Sequence, residues 1–295
     1  MSLGQPVEIV AVIRRMRGRS QSFLVRGSDG ACYVAKFANN PLGNRTLINE
    51  CLACHLLTAL GVSTPELAIL RLGDSCLGRE ELYFSTNPQE SIVSGLHLGS
   101  KCPVNPETVA IFDFLPRPLY PRVANLDDVG VVFAFDQWVA HADNRQFIFA
   151  RQPDSMQTAQ SRALNGSFFT AWAIDNGMCF GKDWTLTPNA LGASPRCCDI
   201  YSYCNLEESA GRGANLIQSL PSSELCAAHQ KIPRDWFSAG DEKALDAMLE
   251  MLQKRQQDLV AIHEHVAAAM ELRNLASLGR ALAPQRSFAF SDTGL

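Results

Sequence analysis

The sequence predicts an α+β fold in two lobes, a small N-terminal lobe built on an antiparallel sheet and a mainly helical C-terminal lobe. Three observations carry that expectation. The first 37 residues alternate apolar and polar positions in short β-branched runs, "VEIVAVI", "QSFLVRG" and "ACYVAKF". A dense run of helix formers follows them. The far end, "DEKALDAMLEMLQKRQQDLVAIHEHVAAAM" (241–270), spaces Leu, Met, Val and Ile at i, i+3 and i+4, the mark of a packed amphipathic helix.

Taken in order, the second and third strand runs flank the turn signal "SDG". In "PLGNRTLINECLACHLLTALGVSTPE", Asn44 is the expected N-cap and Gly61 the expected C′ stop of a helix of about four turns. The region from Leu67 to Pro121 mixes "LAILRL" and "ELYFS" with several Pro and Gly, and is expected to end the sheet and connect the lobes. From Leu126 to Ala142 the chain reads helical, then come "HADNRQFIFA", a polar insertion (151–167) and an apolar strand "FFTAWAI" ending in "DNG". The boundaries expected are 1–115 for the N-terminal lobe, 116–270 for the C-terminal lobe and 271–295 for a small, polar tail, partly disordered. No internal repeat is present.

A chain of 295 residues that is 46% hydrophobic and 19% charged can bury a substantial core. The formal net charge of -4 supplies no global attraction to nucleic acid or to an acidic membrane. The start, "MSLGQPVEIV", lacks the basic and apolar regions of a signal peptide, and "VGVVFAF" (129–135) is far short of the ~20 residues that span a bilayer. A cytoplasmic location with reduced thiols is therefore expected for the ten cysteines. "CLACH" (51–55) matches a haem-attachment pattern, but its place inside a strongly helical stretch favours a core helix. Cys197, Cys198 and Cys204 lack paired zinc-site spacing, and "HEH" (263–265) reads as a solvated helix face because i,i+2 side chains diverge.

The residues that point to chemistry begin with Lys36, at the end of the third strand. Glu50 lies in a helix that is apolar on all sides, and a buried carboxylate requires a cation, for which Lys36 is the candidate. A strand Lys paired with a helix Glu is how protein kinases grip nucleotide phosphates. The stretch "RRMRGRSQSF" (14–23) is either a basic surface hairpin or a loop in which Gly18, Ser20, Gln21 and Ser22 cover phosphates with backbone N–H groups and short side chains. Asp175 opens "DNG", where Asn-Gly by itself signals a turn. Its position at a strand end, about thirty residues after Asp143, instead suits a Mg²⁺ ligand beside a catalytic base.

These strings together resemble the HipA-like kinases, a branch of the protein-kinase-like fold related to bacterial toxin–antitoxin kinases. The likeness runs from "GRSQSFLVRGSDGACYVAKFANNPLGNRTLINECLACHLLTALGVSTPE" through "GLHLGSKCP", "IFDFLP", "FDQWVAHADNRQFIF" and "AIDNGMCFG" to "IPRDWF". It implies ATP-dependent phosphoryl transfer to a Ser/Thr-type hydroxyl, with an acceptor that is a protein and an antitoxin-like partner. Lys36 would hold ATP, Glu50 orient it, Asp143 act as base and Asp175 bind Mg²⁺. The chain departs from a typical kinase where an Asn metal ligand follows the catalytic Asp by five residues, since that position is Ile148. Gln146 or Asn144 would then supply the oxygen. Two alternatives stay open: a pseudokinase that binds nucleotide as a scaffold or regulator, and a small-molecule kinase.

Overall fold

The architecture is given by a computed structural model that describes residues 4–74, 82–84, 87–151, 168–190, 192, 199–258, 264 and 267. Most of the polar insertion, Cys197 and Cys198, His263 and His265, the rest of the 241–270 stretch expected to be helical beyond residue 258 apart from two positions, and the 271–295 tail lie outside the described residues.

Strands β1 (Val7–Arg15), β2 (Phe23–Gly27) and β3 (Cys32–Lys36) form where the alternation places them. They pair antiparallel, with Val12 opposite Val25 and Val25 opposite Tyr33. The sheet does not stop there and is not wholly antiparallel. Strand β7 (Gly95–Lys101) adds to β3 and also to β4 (Leu67–Leu72), and β4 closes in parallel on the start of β1, giving a barrel of order β1-β2-β3-β7-β4. Alternation cannot announce such long-range pairing, and "GLHLGSK" has two glycines in seven residues. Gly99 is required at the β4–β7 contact, where an added Cβ would lie 2.7 Å from the Leu70 side chain. Two short strands, β5 (Tyr83–Phe84) and β6 (Asn87–Ser91), form a hairpin of their own.

The barrel core holds Phe23, Val25, Phe37 and Leu70. His97 is fully buried on β7, edge-on to Phe37, with Nδ1 accepting from the Ala38 N–H (3.1 Å) and Nε2 donating to the Val93 carbonyl (3.1 Å). Burial pushes its pKa down to about 4. An unfolded chain takes up this proton near pH ~6.5, so the folded state loses stability as pH falls from there toward 4. Between pH 7 and 5 the wild type should lose about 2 kcal/mol through this group, at about 1.4 kcal/mol per pH unit. Urea unfolding of wild type and His97→Gln at both pH values checks it, and parallel pH slopes would refute the assignment.

Helix α1 (Arg45–Ala59) is buried on nearly every side, including Cys51 and Cys54, as a core helix should be. Burial raises both thiols well above their usual range. Asn44 occupies the N-cap position but does not cap with its side chain, because its backbone is already helical (φ -63, ψ -29) and an N-cap needs an extended residue. The turn is secured instead by Thr46, whose hydroxyl donates to the Gly43 carbonyl (2.7 Å). Gly61 does stop the helix: it is left-handed (φ 81), its N–H reaches Thr58 and that of Val62 reaches Leu57.

Helix α2 (Leu126–Trp138) ends four residues before the expected Ala142. Ala140 turns left-handed (φ 49) and the His141 N–H bonds back to Asp136, so the chain reverses although its apolar pattern continues. The helix is buried against α3 (Leu206–Ser219) so closely that a Cβ at Gly130 would sit 1.9 Å from the Ser209 hydroxyl. After α2 come β9 (Gln146–Arg151) and β10 (Phe169–Ile174), paired from Gln146–Ile174 to Arg151–Phe169, with β8 (Ile111–Phe112) beyond β9. Helices α4 (Ser222–Gln230) and α5 (Asp241–Gln257) complete the described fold. Arg255 of α5 donates to the carbonyls of Gln137 and Trp138, satisfying the last turn of α2. No described helix is long and apolar enough to cross a membrane.

Candidate active site

The third strand and the first helix bring Lys36 and Glu50 together as the buried-carboxylate argument requires. Lys36 Nζ lies 2.8 Å from Glu50 Oε2 and 3.0 Å from Asp175 Oδ1. Burial alone would lower an ammonium's pKa, but the charges of Glu50 and Asp175 outweigh it and hold Lys36 above its usual range. Asp175 is the converse case, since burial would raise its carboxyl and the Lys36 charge lowers it. Lys36 and Asp175 are therefore both ionised near neutral pH. Lys36 is fixed by β3, and Asp175 stands just past β10 in a left-handed conformation (φ 59), which turns the carboxylate back toward the ammonium.

Behind this cluster lies a buried polar network that the sequence did not reveal. Asn176, fully buried, donates its backbone N–H to Glu50 Oε2 (3.0 Å) and its amide to Glu50 Oε1 (3.1 Å). Its amide oxygen accepts from Arg145 Nη1 at 2.5 Å. Arg145 in turn grips both oxygens of Asp136, through Nε at 3.0 Å and through Nη2, and donates to the Ile174 carbonyl. The Asn-Gly pair is thus no hairpin turn. Gly177 follows as a close-contact position, where a Cβ would meet Thr46 at 3.3 Å.

The segment from His141 to Gln146 runs beside the residues after β10. His141 Nε2 faces the Asp175 carbonyl (3.3 Å), and the Ala142 N–H donates to the Met178 carbonyl (2.9 Å). Gln146, the first residue of β9, donates its amide to Asp175 Oδ2 (3.0 Å). Only Asn144 and Arg145 separate Asp143 from this strand, so Ile148 lies within β9 opposite Trp172, with a side chain that offers no oxygen to a metal. Asn144 is exposed, and its backbone N–H donates to Asp143 Oδ1 (2.8 Å).

The turn between β1 and β2 approaches from the other side. Gly18 (φ 128) and Gln21 (φ 48) bend it, the Gln21 N–H bonds to the Gly18 carbonyl, and the Ser20 and Ser22 hydroxyls lie 3.0 Å apart. Gln21 and Ser22 are buried, while Gly18 and Arg19 are exposed. Arg19 reaches across to Asp143, with Nη2 2.7 Å from Oδ2.

Among the described residues Asp175 Oδ2 and, with its amide turned over, Gln146 Oε1 lie side by side as oxygen donors for a divalent cation. Mg²⁺ commonly takes only one or two protein oxygens and completes its shell with phosphates and water, so this pair fits it. Among the described residues no group of three or more His, Cys, Asp or Glu forms a self-sufficient metal cage.

Comparison with known proteins adds the family. No curated protein matches the chain. Among solved structures it is similar to CtkA, a proinflammatory kinase of Helicobacter pylori, at 13% identity over 89% of this chain and 99% of that one, with a TM-score of 0.49. It is also similar to the Golgi casein kinase with Mn/ADP bound, at 15% identity over 94% of this chain and 75% of that one, with a TM-score of 0.45. Residues 9–162, more than half of the chain, match the HipA-like kinase family model, a segment that contains Lys36, Glu50 and Asp143, and the chain belongs to the HipA-like kinases.

Proposed function

We propose that the protein is an ATP-dependent phosphotransferase that moves the γ-phosphoryl group to a Ser/Thr-type hydroxyl of another protein. The proposed cleft lies between an N-terminal lobe, 1–115, and a mainly helical C-terminal lobe, 116–270. The observation that carries the reading is Lys36, buried and held between Glu50 of α1 and Asp175 beyond β10. A buried ammonium on two carboxylates is costly to build for stability alone, whereas the same arrangement aims a fixed positive charge at a nucleotide.

In this reading Lys36 binds phosphate oxygens and Glu50 orients it, with Asn176 keeping Glu50 in place. Gly18, Ser20, Gln21 and Ser22 shape the loop over the phosphates. Asp175 and Gln146 hold Mg²⁺, which when bound offsets the negative charge of the phosphates. Asp143 accepts the acceptor's hydroxyl proton as the new O–P bond forms, the bond to the β,γ-bridging oxygen breaks, and ADP leaves. An antitoxin-like partner rests on the family resemblance alone.

Calorimetric titration with ATP and Mg²⁺, run beside Lys36→Met and followed by radiolabel transfer on the same sample, tests the reading. Binding by the wild type, loss of at least about tenfold in affinity in the variant, and label on protein are expected. Binding without transfer would make the chain a pseudokinase, a reading that Ile148 in the usual metal-ligand position keeps in view. Label on a soluble acceptor only would make it a small-molecule kinase. No binding by a folded wild type would end the proposal.

A further inference from the structure

The Arg19–Asp143 ion pair joins residues far apart in the chain, and it occupies the atom that the proposed base needs. Asp143 Oδ1 accepts the Asn144 N–H and Oδ2 accepts Arg19, so both carboxylate oxygens are engaged. Each oxygen keeps a second lone pair, so an acceptor hydroxyl at Oδ2 shares that oxygen with the guanidinium until Arg19 leaves.

Arg19 is built to leave. Its side chain is 69% exposed and that of Asp143 32%, and an exposed pair of this kind contributes about 0–1 kcal/mol. Two other arginines of the hairpin are tied elsewhere: Arg15 donates to the Tyr83 carbonyl and lies over the Phe23 and Tyr83 rings, and Arg26 pairs with Glu107. From Ile9 to Ser28 the chain carries five arginines and no Asp or Glu, and Glu8 at the start of β1 is paired with Arg71 instead. Lys36, by contrast, is buried and held by two carboxylates. The site therefore has one fixed cation beside Asp175 and one movable cation beside Asp143.

We propose that Arg19 is a further catalytic residue, a recognition element for the γ-phosphoryl group that leaves Asp143 when ATP binds and so unmasks the base. The inference rests on the kinase reading above. A terminal phosphoryl group carries more charge than one exposed carboxylate and offers the guanidinium several acceptor oxygens, so it competes effectively for Arg19. ADP ends one phosphate short and leaves the pair intact. The base is thereby freed of its competing donor when there is a group to transfer, and on the transferring phosphoryl the same guanidinium stabilises charge in the transition state.

The test compares affinities, which do not depend on turnover. Mg²⁺ titrations with ADP and with the non-hydrolysable β,γ-imido analogue of ATP are run on wild type, Arg19→Ala, Asp143→Asn and the double variant, with thermal melts confirming folding. Arg19→Ala is expected to weaken the ATP analogue about tenfold, the size of a charge-assisted hydrogen bond, and to leave ADP within about twofold. Asp143→Asn should tighten the ATP analogue by about threefold through release of Arg19, and that gain should vanish in the double variant. Equal losses for both nucleotides, no loss for either, or a gain that persists without Arg19 would overturn the inference while leaving the kinase reading standing. A folded wild type that binds neither nucleotide would overturn both.

Discussion

Replacing Arg145 with methionine is expected to destabilise the protein by about 3–5 kcal/mol, the range for removing one partner of a buried ion pair. Arg145 is 4% exposed and Asp136 5%, and among the described residues no other side-chain cation is hydrogen-bonded to Asp136, His141 Nδ1 lying 4.0 Å away. The variant leaves that carboxylate in the interior without its guanidinium partner. It also strips the Ile174 carbonyl and the Asn176 amide oxygen of their donor. Asn176 is the residue that fixes Glu50, so the loss reaches the proposed nucleotide site through a continuous set of hydrogen bonds. Urea unfolding checks the magnitude. The double variant Asp136→Leu/Arg145→Met should recover most of the loss, because an apolar pair leaves no charge without a partner. A single-variant loss below about 1 kcal/mol would show that the network relaxes around the missing guanidinium and that Asp136 finds water.

The contrast between this network and the Lys36–Glu50 pair explains what the sequence could disclose. Glu50 stands alone among apolar residues of α1, a local anomaly that demands a cation, and the structure supplies the one expected. Arg145 and Asp136 give no such sign. Arg145 lies in a polar loop and Asp136 near the end of a helix, where a charged residue ordinarily meets solvent. Asn176 was masked by its neighbour, because Asn-Gly signals a turn and the side chain's burial depends on α1, far earlier in the chain. The first three strands were legible from alternation and the SDG turn, whereas the closure of the barrel through β7 and the parallel β1–β4 contact is set by long-range packing. Gln146 was singled out only because Ile148 stands where a ligand was wanted. The short loop between Asp143 and β9 is the physical reason that Gln146, the first strand residue, meets Asp175.

Asp143→Asn is expected to lower phosphoryl transfer by about 10²–10⁴-fold, the usual contribution of a positioned general base. Asparagine retains an oxygen to accept the Asn144 N–H, so the loop's shape is preserved, and what disappears is the lone pair that takes the hydroxyl proton. The Arg19 contact is exposed and weak, so thermal stability should stay within about 1 kcal/mol of wild type. That separates this variant from Arg145→Met, in which a loss of activity would follow a loss of structure. ATP should still bind, at least as tightly as to the wild type, because Lys36, Glu50 and Asp175 are untouched. Transfer rates measured at saturating ATP, beside a melting curve of each sample, therefore isolate the chemical step. If the variant transfers phosphate as fast as the wild type, Asp143 is no base, and its pairing with Arg19 only holds the β1–β2 turn closed. Slow transfer at full ATP occupancy leaves proton removal as the step that was lost, since binding and folding will have been measured intact.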